Sequence, residues 1–310
     1  MNLCGGKHLT ILITGSSGTI GTRLGESLLG WNREIIGIDK VLNEWRGDIC
    51  KRTYLFDLRK EQFHPFKLVD TVIALAANAR VNELVQHPKL AKDNFDITFN
   101  TLELCRKNDI KKIIFASSRE VYSNEGGMIT HSEDFPYKVE RCESPYTASK
   151  IGNEALIHAY HKCYGIDYII LRYSNVYGMY DNKDRVVPEF IKLAKQNKSL
   201  DVYGSDKILD FTYIDDAIQG TILSIDEFDK VKNNVFNIAS GEGHTLQELA
   251  TLIIKNLNSR SKIVEDKRSK IGEVRKFIAN IDKAKEMLGY NPRYDLKSGI
   301  EKTVEWYNGQ

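Results

Sequence analysis

The sequence predicts an α/β protein built on a doubly wound parallel sheet. Through the first half of the chain, short apolar runs typical of buried strands alternate with segments that have the apolar spacing of helices. A glycine-rich turn follows the first of these runs. Alternating strands and helices are typical of an open parallel sheet with helices on both faces. After about Gly178 the pattern becomes mixed, which predicts a smaller mixed α/β lobe in the C-terminal part.

The glycine turn predicts a binding site for a dinucleotide. An apolar strand at 9–14 leads into Gly15-x-x-Gly18-x-x-Gly21, and 19–29 has helical spacing. In such a strand-turn-helix unit, backbone N–H groups at the helix N-terminus face an anion, and residues without Cβ let a pyrophosphate approach. A second strand, 34–39, ends in Asp39, about twenty residues further on, where such folds bind the adenosine ribose. The first glycine interval differs from G-x-G-x-x-G, but this context favours a Rossmann-type fold over an ordinary turn.

The remaining elements divide the chain into two parts. Further strands are predicted at 53–56, 71–77, 112–116, 168–172, 200–203 and 235–239. Helices are predicted at 90–107, 145–164, 188–196, from 215, at 245–257, 282–288 and 296–307. We expect 1–177 to form the dinucleotide-binding domain, with 214–240 returning to it, and 178–310 to form mainly a substrate-binding lobe.

Composition limits the classes of partner. A formal charge of +2, from 44 basic and 42 acidic residues, gives no reason to expect nucleic acid or an anionic membrane surface. No apolar run approaches the roughly 20 residues of a spanning helix, and the apolar part of the N-terminus is needed as the first strand. The five cysteines are odd in number and lack a C-x-x-C pair, as expected of reduced thiols without a metal. These features predict a cytoplasmic protein.

Three groups of residues could carry chemistry. Tyr146 and Lys150 are four residues apart on one predicted helix, so both project from the same face. A neighbouring ammonium and a positively charged nicotinamide would favour the phenolate, and a shift of about 3 pKa units requires roughly 4 kcal/mol. The segments 117–120 and 172–178 each follow a strand, where ligands of open sheets bind. Alternatively, Tyr146 and Lys150 could be a surface pair and 117–120 a serine-rich turn.

Together these motifs resemble the extended short-chain dehydrogenases/reductases, in their nucleotide-sugar epimerase/dehydratase branch. The matching segments run nearly from end to end: the glycine loop, Asp39, Asp57-Leu58, Leu75-Ala76-Ala77, Ala116-Ser117-Ser118, Tyr146-x-x-x-Lys150, Asn175-Val176-Tyr177-Gly178, Asp210-Phe211 and 284–292. Their order and spacing are together far more specific than any one of them.

The resemblance implies NAD as the cofactor and assigns the site residues. It makes Tyr146 the base, Lys150 its activator, Ser118 its hydroxyl partner and Glu120 a further catalytic residue. Asp39 favours NAD because a carboxylate repels the 2′-phosphate of NADP. The implied cofactor-binding residues are Gly15, Ser17, Gly18, Thr19, Ile20, Gly21, Asp39, Asp57, Leu58, Leu75, Ala76, Ala77, Asn94, Ser117, Tyr146, Lys150 and Tyr173. The implied substrate-binding residues are Ser118, Arg119, Asn175, Arg185, Val187, Tyr203 and Lys270.

Departures from the family pattern indicate the reaction. Arg119 replaces the aspartate that acts as the acid in 4,6-dehydratases, and Phe277 stands where UDP-glucuronate decarboxylases have an essential arginine. The remaining chemistry is C4 epimerisation of a nucleotide sugar, with UDP favoured over dTDP and either a hexose or a hexuronic acid as the sugar. Dehydration, decarboxylation and a non-enzymatic NAD-binding scaffold are the alternatives.

Two further expectations follow from the resemblance. Leu209 replaces an arginine that grips the diphosphate in relatives, so Lys270 and Arg185 become the candidates for that charge. Arg119 could pair either with a sugar carboxylate or with Glu120. The branch also implies a homodimer formed through a helix bundle that contains the Tyr146 helix.

Overall fold

The structure is a computed structural model that describes residues 10–60, 66, 68–124, 130–136, 138–181, 184–266, 268 and 271–310. As far as Tyr177, its elements are β1 (Thr10–Thr14), α1 (Thr19–Gly30), β2 (Ile35–Asp39), α2 (Gly47–Cys50), β3 (Thr53–Leu55), β4 (Val69–Ala74), α3 (Val81–Gln86), α4 (Lys89–Lys107), β5 (Lys112–Ser118), β6 (Thr130–His131), α5 (Pro145–Tyr164), β7 (Asp167–Tyr173) and β8 (Asn175–Tyr177). Short 3₁₀ turns lie at Arg119–Tyr122 and Val139–Arg141.

The second half is built from shorter elements. They are α6 (Val186–Lys195), β9 (Leu200–Tyr203), β10 (Ile208–Leu209), β11 (Phe211–Tyr213), α7 (Ile214–Asp226), α8 (Phe228–Val231), β12 (Asn234–Ile238), α9 (Leu246–Asn256), β13 (Ile263–Asp266), β14 (Lys276–Ala279), α10 (Asp282–Leu288) and α11 (Leu296–Asn308).

Seven parallel strands form the central sheet, in the order β12-β7-β5-β4-β1-β2-β3. From β1 the chain first adds β2 and β3 on one side and then β4, β5, β7 and β12 on the other. The sheet is therefore doubly wound, and the strand order reverses between β1 and β4. Ligands of such sheets bind outside the carboxyl ends of the strands at this reversal. The predicted Rossmann-type α/β fold is confirmed.

Both faces of this sheet are buried under helices, and so its strands are apolar on both sides. Leu12, Val72 and Ile113 pack with buried residues of α4 and α5 on one face. Ile13 and Ile73 pack with buried residues of α1 and α7 on the other. The sheet is therefore packed between two helical layers, which hold the loops at the carboxyl ends of its strands in place.

Small sheets lie beside the central one. β10, β14 and β6 form a three-stranded sheet, while β9 pairs with β13 and β8 with β11. β6 therefore leaves the first half of the chain to join strands of the second. The sequence did not predict β6, β8, β10, β11, β13 or β14, nor the short helices α2, α3 and α8. These elements have two to six residues each, too few to show a period.

Helix α5 has the boundaries that the sequence predicts. The Ser144 side chain accepts a hydrogen bond from the Thr147 N–H, Pro145 is the first helical residue, and Gly165 ends the helix with φ +65°. Elsewhere the structure moves boundaries slightly: the strand predicted at 71–77 ends at Ala74, and the helix predicted from Pro188 begins at Val186. Within the described residues, no helix is both long and apolar enough to cross a membrane.

Candidate active site

The glycine turn between β1 and α1 forms a cradle with space at its centre. Gly15 has φ +73°, and a Cβ there would lie 2.8 Å from the Ala76 nitrogen. A Cβ on Gly21 would lie 2.1 Å from the Gly15 carbonyl oxygen, so these two glycines allow close backbone packing. A Cβ on Gly18, by contrast, would meet only that carbonyl oxygen, at 3.4 Å. The open space at Gly18 fits a pyrophosphate placed at the N-terminus of α1.

Asp39 lies at the end of β2, beside this cradle. Its carboxylate accepts hydrogen bonds from the backbone N–H groups of Ser17, at 2.9 Å, and Val41, at 3.1 Å. The next residues of the cradle, Thr19 and Ile20, open α1. The residues present therefore fit a dinucleotide, with a carboxylate next to the turn where a ribose hydroxyl would be bound.

The loop after β4 borders the cradle from the other side. The N–H of Leu75 donates to the Thr14 carbonyl at 3.1 Å, and the N–H of Ala76 donates to the Thr14 hydroxyl at 3.3 Å. Ala77 follows in the same loop. Ala76 and Ala77 are small and leave the carboxyl ends of β1 and β4 accessible. The cofactor assignment of Leu75, Ala76 and Ala77 requires this access.

Other predicted cofactor residues are engaged within the protein. Asp57 pairs with Arg59, whose hydrogen bonds lower the pKa of that carboxyl to about 2. The Leu58 carbonyl accepts a hydrogen bond from Asn100, and Asn94 bonds to both backbone groups of Asn78. These contacts shape the loops around the cleft, so direct contact with a cofactor stays a prediction for these residues.

Two predicted residues have side chains that point into the protein. The Ser117 hydroxyl donates to Glu154, and the Tyr173 hydroxyl bonds to Thr221 on α7. Both residues are buried. Their side chains stabilise the site from within the protein. Any contact of these two residues with a cofactor would therefore be made by their backbone atoms.

Tyr146, Lys150 and Ser118 meet at the end of β5. The Ser118 hydroxyl lies next to the Tyr146 phenol, close enough to lower the pKa of Tyr146. Lys150 Nζ donates to the Ala116 carbonyl at 2.7 Å and lies 5.8 Å from the centre of the Tyr146 ring. The two side chains on α5 and the serine on β5 thus form one group, as the family resemblance implies.

Burial dominates the electrostatics of this group. It raises the pKa of Tyr146 to about 12, although the nearby Ser118 hydroxyl opposes the rise. It also lowers the pKa of Lys150 to about 8. In the free protein both side chains therefore favour their uncharged forms in mildly alkaline solution.

Arg119 and Glu120 form a buried ion pair next to Ser118. Their side chains are 9% and 6% exposed, and Arg119 Nη2 lies 2.9 Å from Glu120 Oε1. The guanidinium also lies 5.8 Å from the centre of the Phe277 ring. Burial raises the pKa of Glu120, and the charge of Arg119 opposes this rise. Of the two interpretations of Arg119, the structure shows the pair to Glu120; Arg119 Nη1 is buried without a hydrogen-bond partner among the described residues, so a contact with a sugar carboxylate stays a prediction.

The predicted substrate residues are only partly brought together. Arg185 is close enough for its charge to lower the pKa of Tyr146, and it donates to the Val176 carbonyl at 3.3 Å. Asn175 donates to the Asp210 carbonyl. The Val187 side chain is buried in the core, so it does not face a cleft, while Tyr203 is 44% exposed on β9. Lys270 lies outside the described residues.

Several charged residues at this site were not predicted. Glu154 and Arg172 form a buried pair behind Ser117, and Lys207 pairs with Glu273. Glu154 could have been found, because it is four residues after Lys150 on the same helical face. Arg172 begins the segment 172–178 that the sequence indicates, but its pairing with Glu154 had no local signal, and neither did the pair of Lys207 with Glu273. Among the residues that the structure describes, no group of three or more His, Cys, Asp or Glu could hold a metal ion.

Comparison with known proteins shows which proteins this chain is similar to. The model of the NAD dependent epimerase/dehydratase family matches residues 11–239. A UDP-glucuronate 4-epimerase of Thermodesulfobacterium geofontis is 31% identical over 95% of each chain. A UDP-N-acetyl-alpha-D-glucosaminuronate decarboxylase of Bacillus cytotoxicus is 32% identical over 96% of this chain and 97% of its own. The crystal structure of a Thermotoga maritima UDP-glucose 4-epimerase with UDP-glucose superposes with a TM-score of 0.86, at 28% identity, over 97% of this chain and 99% of that one.

Proposed function

This chain belongs to the NAD dependent epimerase/dehydratase family, a family of enzymes with NAD as cofactor, and we propose that it reversibly inverts C4 of a UDP-hexose or UDP-hexuronic acid. One observation carries the proposal: Tyr146 and Lys150 on α5 lie beside Ser118 at the end of β5, at the same sheet edge as the glycine cradle. This arrangement supplies a base and a hydroxyl partner next to a dinucleotide.

When bound, NAD would supply reversible hydride transfer at C4 of the sugar and, in its oxidised form, a positive charge in the site. Tyr146 would take the proton of the C4 hydroxyl, either directly or through the Ser118 hydroxyl. Lys150, held by the Ala116 carbonyl, would stabilise the phenolate in its charged form. The 4-keto sugar would then turn, and Tyr146 would return the proton when the opposite face has been presented.

Two side chains disfavour the other reactions of the family. Dehydration would need an acid beside Ser118, whereas Arg119 is held in a buried pair with Glu120 and keeps its proton near neutral pH. Phe277 occupies the position of the decarboxylase arginine and is stacked on Tyr122 in the core. Inversion at C4 requires neither an acid at Arg119 nor a cation at Phe277.

We further propose that the two parts of the chain bind different ligands. Residues 1–177, together with 214–240, would hold NAD, and 178–310 would hold mainly the nucleotide sugar. Arg185, near Tyr146, would provide positive charge for the diphosphate together with Lys270. UDP is favoured over dTDP because the relatives described above are named for UDP-sugars.

Mass spectrometry after incubation with a panel of UDP- and dTDP-sugars tests the proposal. We expect a product of unchanged mass that separates chromatographically as a new isomer. The Tyr146→Phe protein is the control and should give no product. Loss of water would instead make the protein a dehydratase despite Arg119, and loss of carbon dioxide would make it a decarboxylase despite Phe277. Tight NAD binding without turnover of any sugar would favour a scaffold.

A further inference from the structure

A buried ion pair lies directly behind the candidate catalytic residues. Arg172 on β7 donates to both carboxylate oxygens of Glu154 on α5, at 3.1 Å through Nε and 2.9 Å through Nη2. The side chains are 4% and 1% exposed. Two parallel hydrogen bonds fix the relative orientation of the two planar groups, so the pair is well suited to hold α5 and β7 in one register.

The same pair also holds both ends of the segment that contains Ser118. Glu154 accepts a hydrogen bond from the hydroxyl of Ser117, the residue before Ser118. Arg172 Nη1 donates to the Tyr122 hydroxyl at 2.9 Å, and Tyr122 ends the 3₁₀ turn that follows Ser118. The four residues between Ser117 and Tyr122 are thus attached to one ion pair from both sides.

On α5, the pair lies close to the other catalytic groups. Glu154 is one helical turn beyond Lys150 and two beyond Tyr146. Lys150 already bonds to the Ala116 carbonyl, so successive turns of α5 are attached to successive residues of β5. The distance between the hydroxyls of Tyr146 and Ser118 is therefore determined by contacts to Ala116 and Ser117.

The network continues into the small three-stranded sheet. The Tyr122 hydroxyl donates to Asn237 Oδ1 at 2.7 Å. Asn237 in turn donates to the carbonyls of His131, in β6, and Asn280, directly after β14. The position of the second lobe is thereby linked to the segment that carries Ser118.

We propose that Glu154, Arg172 and Tyr122 are positioning residues that hold the Ser118 hydroxyl beside the Tyr146 hydroxyl. They touch neither the expected substrate nor the cofactor and act through Ser117 and the 3₁₀ turn. The proposal rests on the proposed function only in that turnover is measured as inversion at C4.

Tyr122→Phe and Glu154→Gln test this role by kinetics. Tyr122→Phe removes one hydroxyl and keeps the ring in the core. Glu154→Gln keeps the side-chain shape but loses the charge that compensates Arg172. Misplacement of catalytic groups by about 1 Å costs about 100-fold, so we expect kcat to fall about tenfold in the first variant and about 100-fold in the second. KM and NAD affinity should stay within about threefold.

Tyr290→Phe is the matched control. It also deletes one buried tyrosine hydroxyl, which bonds to the Ala239 carbonyl at 2.8 Å, outside this network. Its kcat should equal that of the wild type. Thermal unfolding of all three variants separates lost positioning from lost folding. A fall in kcat that merely parallels the loss of folded, NAD-binding protein, or that Tyr290→Phe shares, would overturn the proposal.

A second readout needs no turnover. The pH titration of the Tyr146 phenolate can be followed by ultraviolet absorbance in NAD-loaded protein, as the difference from NAD-loaded Tyr146→Phe protein. Because the nearby Ser118 hydroxyl lowers the pKa of Tyr146 and so favours the phenolate, Tyr122→Phe should move this titration to higher pH. An unmoved titration would contradict the positioning role. If the wild type inverts no UDP-sugar, the proposed function fails, while the titration still decides this proposal.

Discussion

Tyr146 and Lys150 are buried against β5, and burial disfavours the charged form of each. The pKa of Tyr146 is raised to about 12 and that of Lys150 is lowered to about 8. Within the free protein, the phenolate that proton abstraction requires is therefore strongly disfavoured. Positive charge next to the ring would favour the phenolate, so we expect the binding of oxidised cofactor to activate Tyr146.

The substitution Tyr146→Phe removes the ionisable oxygen and leaves the ring in place. We expect the rate of C4 inversion to fall by at least about 1,000-fold, since general base catalysis contributes 10²–10⁴-fold. NAD affinity should change by less than about threefold, because the glycine cradle follows β1, whereas Tyr146 lies at the end of β5, across the point where the strand order reverses. Calorimetric titration with NAD and a chromatographic assay measure the two effects. Near-normal turnover would show that Tyr146 is not the base.

The lowered pKa of Lys150 predicts a pH dependence of stability in NAD-free protein. Between pH 8 and 10 the unfolded chain binds a proton at this lysine that the folded protein does not, so stability rises with pH. The gain in the free energy of unfolding should be about 2 kcal/mol. Tyr146 adds only a small opposing contribution at the upper end of this window, because the unfolded tyrosine is half ionised near pH 10 whereas the folded one ionises near pH 12.

Urea unfolding at pH 8 and pH 10 measures this effect, with Lys150→Met as the comparison. The wild type should gain stability over this range relative to the variant. Equal slopes for the two proteins would mean that Lys150 titrates at its ordinary pKa when folded. Lys150→Met should also weaken both turnover and NAD binding.

At the scale of elements, the β1–α1 unit separates two roles of glycine. A methyl group on Gly18 would enter nearly open space, whereas one on Gly21 would overlap the Gly15 carbonyl oxygen. We expect Gly18→Ala to leave the thermal stability of NAD-free protein unchanged and to weaken NAD binding at least tenfold, or about 1.4 kcal/mol.

Gly21→Ala is the matched variant in the same unit. Because α1 must shift away from the turn, we expect a loss of about 1–3 kcal/mol of stability even without NAD. Thermal unfolding and NAD titration of both variants test this division. Unchanged NAD affinity in Gly18→Ala would place the pyrophosphate elsewhere.

The elements that could be predicted are those with local signals. The β1–α1 unit has its glycines, α5 has Ser144, Pro145 and Gly165, and α9 has a Thr245–Glu248 capping box. The short strands β8 and β11 are stabilised by pairing with each other across 36 residues of chain, from Asn175 to Phe211. No property of three residues reveals such a partner, and so these strands could not be predicted.

The same limit applies to the candidate site. Tyr146, Lys150 and Ser118 were predicted because helical spacing and a strand end place them. The pair of Glu154 with Arg172 joins α5 to β7, and its existence depends on how the helix packs against the sheet. The ion pair of Arg119 with Glu120 was one of two alternatives, and only the folded geometry shows that this pair forms.

At the scale of the whole molecule, one exposed apolar face remains on the α4–α5 layer. Phe95 and Phe99 on α4 are 38% and 45% exposed, and Gly152 on α5 leaves room for the Phe95 ring. We propose that this face forms a homodimer contact, as expected for this branch. Phe99→Asp should convert the dimer to a monomer, measured by light scattering.

Trp31→Asp is the control, since Trp31 is 59% exposed at the end of α1, on the opposite helical layer. It should leave the oligomeric state unchanged. A wild-type mass equal to that of the monomer would contradict the homodimer, as would a dimer that survives Phe99→Asp unaltered.

The most direct test of the central claim is the mass of the product formed in D₂O. UDP-glucose and UDP-glucuronic acid are incubated separately with the protein, and exchangeable deuterium is removed in H₂O before mass spectrometry. Inversion at C4 returns the original hydrogen to the same carbon, so we predict a C4 isomer with the mass of the substrate and no retained deuterium. A product that has lost water or carbon dioxide and gained one carbon-bound deuterium from the solvent would contradict the account.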